Sequence, residues 1–138
     1  MTVMIMSRCV ITGNKIIGDK HNVWPVSEGD CCEEANMQVV VPYRLFLGND
    51  KKDKAMLLKT DNTIELIRPK DKHFTLEELQ ELVGGGLIEY YPHRINGNIV
   101  IVNEEGLLKQ MPYNRLAKII LKVDLVGPVI VIPKNLVD

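Results

Sequence analysis

The chain has 138 residues, 46% hydrophobic and 25% charged, which is the size and make-up of one globular domain able to bury a core. A formal net charge of -1 lacks the basic excess with which duplex binders neutralise phosphates, and no apolar run reaches bilayer length, so nucleic acid and membrane are set aside as partners. Met1 to Cys9 carries no signal-peptide pattern, and three cysteines without paired spacing predict the reducing cytosol rather than a disulfide framework.

Val3–Ile11, rich in Val, Ile and Met, predicts a strand. Thr12-Gly13-Asn14 predicts a turn, and Lys15–Ile17 a return strand. Gly18–Ala35 is dominated by Gly, Pro, Ser and Asp and reads as an irregular loop, long enough to suggest a function. Met37–Val41 reads as a buried strand that Pro42 bends or ends, with Tyr43–Leu47 continuing on a sheet edge. Residues 1–50 are thus expected to be a β-rich, Cys-containing extension, and the pattern changes near Gly48-Asn49-Asp50.

Residues 51–138 are more regular. Ala55–Lys59 and Thr63–Ile67 flank Thr60-Asp61-Asn62 and predict a hairpin. Thr75 is an N-cap, Glu78 completes a capping box, and Phe74 with Leu79 forms a hydrophobic staple. Leu76, Leu79, Leu82 and Val83 make the apolar stripe of that helix, which Gly84-Gly85-Gly86 ends. Leu87–Tyr91 and Asn98–Val102 are strands joined by Asn96-Gly97, with Pro92 marking an edge or bulge. A second helix is expected over Pro112–Leu121, with Tyr113, Leu116, Ala117, Ile120 and Leu121 facing the core. Val129–Ile132 is the last strand. The expected fold is α+β: a mixed or antiparallel sheet in ββαββαβ order, with both helices on one face.

Three blocks carry a resemblance. They are Phe74 to Gly85, Ile101-Val102-Asn103-Glu104-Glu105-Gly106-Leu107, and Pro112-Tyr113-Asn114-Arg115-Leu116-Ala117, followed by Val126-Gly127-Pro128-Val129-Ile130-Val131. Together they resemble a domain family of phages and mobile elements that has no assigned function. The resemblance covers the C-terminal half, from about residue 55 to 138. It implies a small α+β domain of phage origin and no established activity.

No motif of catalysis is present: there is no His-Glu-x-x-His, Gly-x-Ser-x-Gly or phosphate loop, and Gly84-Gly85-Gly86 follows a helix instead of opening one. Asn103, at a strand end, and Asn114 with Arg115, at a helix start, are candidates to converge on one rim and hold an anion. Tyr91 and Arg94 add a stacking ring and a phosphate partner. The alternative for each is a turn, cap or surface role. Cys9, Cys31, Cys32 and His21 invite a zinc reading, in which Cys9-Val10-Ile11-Thr12-Gly13 resembles a zinc knuckle with its second thiolate replaced by Thr12. Packing of buried thiols is the favoured reading, with no metal or other cofactor. The leading expectation is a non-enzymatic phage accessory protein. It would sequester a small anionic, nucleotide-type immune signal in the host cytosol as a homo-oligomer, burying an apolar edge around Val126–Ile132. The alternatives are a module that binds a host protein through the Gly18–Ala35 loop and Trp24, and a nucleotide hydrolase.

Overall fold

The structure, a computed structural model, describes residues 8–48, 52–95 and 97–137, except the side chains of 92–95. The first part of the strand expected over Val3–Ile11 lies outside these residues, as does the turn residue Asn96. From Cys9 to Asn14 the chain makes a tight turn, with the Gly13 amide on the Cys9 carbonyl and the Cys9 amide on the Asn14 carbonyl, both at 2.7 Å. A single bridge pairs Arg8 with Lys15. The segment expected as an irregular loop contains a short hairpin of β1 (His21–Asn22) and β2 (Asp30–Cys31).

Residues 33–47 correct the expectation of strands over Met37–Val41 and Tyr43–Leu47. They are helical, as α1 (Glu33–Ala35), a π turn (Asn36–Val40) and α2 (Val41–Leu47). The β-branched run Val39-Val40-Val41 favours a strand locally. Over a longer window the buried residues Ala35, Val39, Val40, Tyr43 and Phe46 recur at helical spacing, and they join the core beside the sheet. Pro42 does not end the helix. It lacks an amide, and its ring crowds the carbonyl four residues back. The wider π turn before it, closed by the Val41 amide on the Asn36 carbonyl, relieves both problems.

From Ala55 the order is the expected ββαββαβ. The elements are β3 (Ala55–Leu58), β4 (Ile64–Ile67), α3 (Leu76–Leu82), β5 (Ile88–Ile95), β6 (Asn98–Asn103), α4 (Arg115–Leu121) and β7 (Val129–Ile132). The five strands form one antiparallel sheet in the order β4-β3-β7-β6-β5. The α+β class and the antiparallel sheet are as the patterning indicated. β7 lies at the sheet centre and is buried throughout, so Val126–Ile132 is not the exposed apolar edge expected there.

The two helices of this half lie on opposite faces, not together on one. Met56, Leu58, Val100, Val129 and Val131 pack with Leu116, Ala117 and Leu121 of α4 and with the N-terminal segment. Ala55, Leu57, Ile101, Ile130 and Ile132 pack with Phe74, Leu79 and Val83. Successive strand residues point to opposite faces, and in β3 and β7 both sets are apolar, so each face requires a cover.

The local signals hold at α3 and β5. Thr75 accepts the Glu78 amide while the Glu78 carboxylate accepts the Thr75 amide. The β5–β6 register shifts between Tyr91 and Arg94, around Pro92. α4 begins later than expected, at Arg115 with Asn114 as N-cap. Tyr113 therefore lies outside the helical stripe. It is 48% exposed instead of in the core, and its hydroxyl donates to Asp124. Among the described residues, no helix is long and apolar enough to cross a membrane.

Candidate functional site

Asn114 and Asn103 are the two buried polar residues of the described chain. The Asn114 amide nitrogen donates to the Leu58 and Gly127 carbonyls, both at 2.9 Å, and its oxygen accepts the Ala117 amide at 2.9 Å. It caps α4 and ties that cap to the end of β3 and to the turn before β7. Asn103 donates to the Val83 and Gly85 carbonyls at 3.0 and 2.7 Å and accepts the Glu105 amide at 2.8 Å. It thereby satisfies carbonyls left unpaired where α3 ends.

Arg115 is exposed, but its guanidinium donates to the Ile11 and Val10 carbonyls and straps the N-terminal turn onto α4. Gly13, at φ +81°, makes room for it, since a Cβ there would meet Nη2 at 3.3 Å. The side chain of Arg94 lies outside the described residues. Tyr91 lines a pocket of about 170 Å³ with Glu89, Glu104, Leu107 and Asp124, and Asn103 borders it with its side-chain amide turned to the Val83 and Gly85 carbonyls. The pocket's three carboxylates repel an anion. Asp124 is held below its ordinary value by the Tyr113 hydroxyl and by Lys118.

A larger cleft, of about 550 Å³, opens on the other face of the sheet. The Phe74 amide donates to the Leu136 carbonyl at 2.8 Å, which holds the C-terminal segment as one wall. Strand alternation sends Ile88 and Tyr90 to this face, opposite Asn103 and Ile101 on β6, while Glu89 and Tyr91 take the face of α4. Buried Phe74 and Leu79 line the cleft. Tyr90 and Leu76 are 53% and 55% exposed beside them, although Leu76 was expected in the apolar stripe. Asp71, Lys72 and His73 add the polar lining. Nearby, the Glu78 carboxyl is held below its ordinary value, first by the Thr75 amide and further by Lys70 and the Thr75 hydroxyl.

Of these residues, sequence reasoning placed Tyr90 only in the strand Leu87–Tyr91 and gave the stacking role to its neighbour Tyr91; it did not mark Lys72, His73 or Leu76 as site residues. The available signal was the dipeptide Lys72-His73 directly before the staple residue Phe74, on the short connection that enters α3.

The three cysteines are free, with Cys9 and Cys31 buried and Cys32 partly so. Burial pushes the Cys9 thiol up, but hydrogen bonds from the Thr12 side chain and backbone and from the Cys32 and Ile11 amides hold it below its ordinary value. Cys31 is pushed up to about 11 by burial and then by its neighbours Cys9 and Cys32. His21 lies opposite Cys31 in the hairpin, and its Nε2 has no partner. Among the described residues, no group of three or more His, Cys, Asp or Glu is arranged to hold a metal ion.

The chain belongs to the family described as Domain of unknown function (DUF3846), whose model matches residues 53–135. The match takes in the five-stranded sheet with α3 and α4, and leaves out the turn, hairpin and helices of residues 8–48. No curated protein and no solved structure matches the chain.

Proposed function

We propose that this DUF3846 protein is a binding protein, not an enzyme, and that it captures a small anionic ligand of nucleotide type in the cleft between α3 and β5. One observation carries the reading: a single cavity combines the half-exposed Tyr90 ring, beside Leu76 and Ile88, with Lys72 and His73. A base stacked on an aromatic ring gains about 1–3 kcal/mol. A lysine ammonium adds a charge-assisted hydrogen bond to phosphate. A volume of about 550 Å³ falls within the range of small-molecule sites. The resemblance to phage domains adds the finer reading, in which the ligand is a host immune nucleotide and the function is its sequestration.

Calorimetric titration of the full chain with AMP, ADP-ribose and a cyclic dinucleotide tests this. Saturable binding of at least one is expected, weakened about 5- to 150-fold by Tyr90→Ala, in line with a stacking gain of about 1–3 kcal/mol, and about tenfold, or ~1.4 kcal/mol, by Lys72→Ala. Silence across the panel, or binding indifferent to both substitutions, overturns it. Ligand recovered intact by chromatography after incubation separates capture from hydrolysis.

A second reading, interaction with another protein, is favoured by Trp24, which is 63% exposed on the β1–β2 connection. Arg44 braces that connection, with its Nε and Nη2 donating to the Trp24 and Asn22 carbonyls at 2.9 Å. Capture of one specific protein from host lysate that disappears with Trp24→Ala supports this reading. Capture unchanged by the substitution refutes it.

A further inference from the structure

We infer that residues 9–35 have the frame of a four-thiolate zinc finger that retains two ligands, Cys9 and Cys32, and that cysteine at positions 12 and 35 completes the metal site. A structural zinc is held tetrahedrally, commonly by two pairs of thiolates, each pair separated by two to four residues. Cys9-Val10-Ile11-Thr12 and Cys32-Glu33-Glu34-Ala35 both have that spacing, each with its second cysteine replaced.

The backbone around each retained cysteine is shaped as a ligand pair requires. At the first, the chain reverses over Thr12 and Gly13, with Gly13 at φ +81°, and the Thr12 amide points at Cys9 Sγ from 3.4 Å. At the second, Cys32 is the N-cap of α1, and the Ala35 amide points at its Sγ from 3.5 Å. In both, the residue three positions on turns back towards the sulfur. This is the reciprocity by which a residue three past an N-cap reaches the cap.

The two halves also face each other. The Cys32 amide is among the backbone groups that act on the Cys9 thiol. The Val10 amide donates to the Asp30 carbonyl at 3.0 Å, which fixes the turn against the strand leading into Cys32. The turn that carries Cys9 and Thr12 is thus tied to the strand that leads into Cys32 and the start of α1. Other ties stand in for the ion. The Thr12 amide bonds to Cys9 Sγ, Cys9 and Ala35 are buried in the main core, and the Arg115 strap holds the turn from α4.

The test uses the full chain carrying Thr12→Cys and Ala35→Cys, kept reduced by a phosphine and titrated with Co²⁺ and then Zn²⁺. One equivalent of Co²⁺ is expected to give the visible absorption of a tetrahedral thiolate site, displaced by Zn²⁺, with a rise in melting temperature that a chelator reverses. Adding Cys9→Ser to the double variant is expected to weaken binding at least about tenfold. If the metal-free double variant loses structure, recovery of the wild-type circular dichroism on adding Zn²⁺ is the supporting readout. No tetrahedral band, or a band indifferent to Cys9→Ser, overturns the inference.

Discussion

Replacing Asn114 with alanine should destabilise the protein severely without changing its surface. The side chain is fully buried and makes three hydrogen bonds, to the Leu58 and Gly127 carbonyls and from the Ala117 amide. Loss of an N-cap costs about 1 kcal/mol. Each buried carbonyl left without its donor costs about 1–3 kcal/mol. The sum is about 3–5 kcal/mol after partial relaxation, against a typical total of about 5–15 kcal/mol. At roughly 3 °C per kcal/mol for a chain of this length, the melting temperature falls by about 10–15 °C. Urea unfolding followed by circular dichroism should show a lower midpoint with an unchanged slope. Asn114→Asp keeps the acceptor for Ala117 but sets a carboxylate against two carbonyls, and should fall at least as far. A loss below about 1 kcal/mol for Asn114→Ala, or an aspartate variant as stable as wild type, refutes the reasoning.

Arg115→Ala should release the N-terminal turn and leave the sheet intact, because its guanidinium bonds the Ile11 and Val10 carbonyls. Hydrogen exchange should speed up around residues 9–16 and not in β3, β6 or β7. Glu78 has a lowered pKa in the folded protein, so its contribution is fully present above the ordinary value of 4.5 and is lost as pH falls through the lowered one. The stability difference between wild type and Glu78→Ala should therefore shrink towards zero on acidification, as read by urea midpoints across pH 2–7. Gly127→Ala should lower stability by about 1–2 kcal/mol, because φ is +76° and a Cβ would lie 2.6 Å from Met111 Sδ. Thermal melting checks this, and Met111→Ala in the same chain should recover none of the backbone strain.

Local signals were enough to read the ββαββαβ order, the Thr75–Glu78 capping box and the bulge at Pro92. Each depends on residues within a few positions of one another, where periodicity and turn chemistry act directly. The same local reading mistook Val39-Val40-Val41 for a strand, because β-branched propensity outweighed a helical spacing that runs from Ala35 to Phe46. What each side chain does was decided by tertiary structure. Asn114 meets a carbonyl 56 residues away in sequence, and Arg115 one that is 104 residues away, so anion-binding candidates became internal ties. The cleft beside Tyr90 likewise exists only because β5, the entry to α3 and the C-terminal segment meet in space. A buried polar group must pair wherever the folded chain brings a partner, and sequence neighbours do not disclose which partner that is.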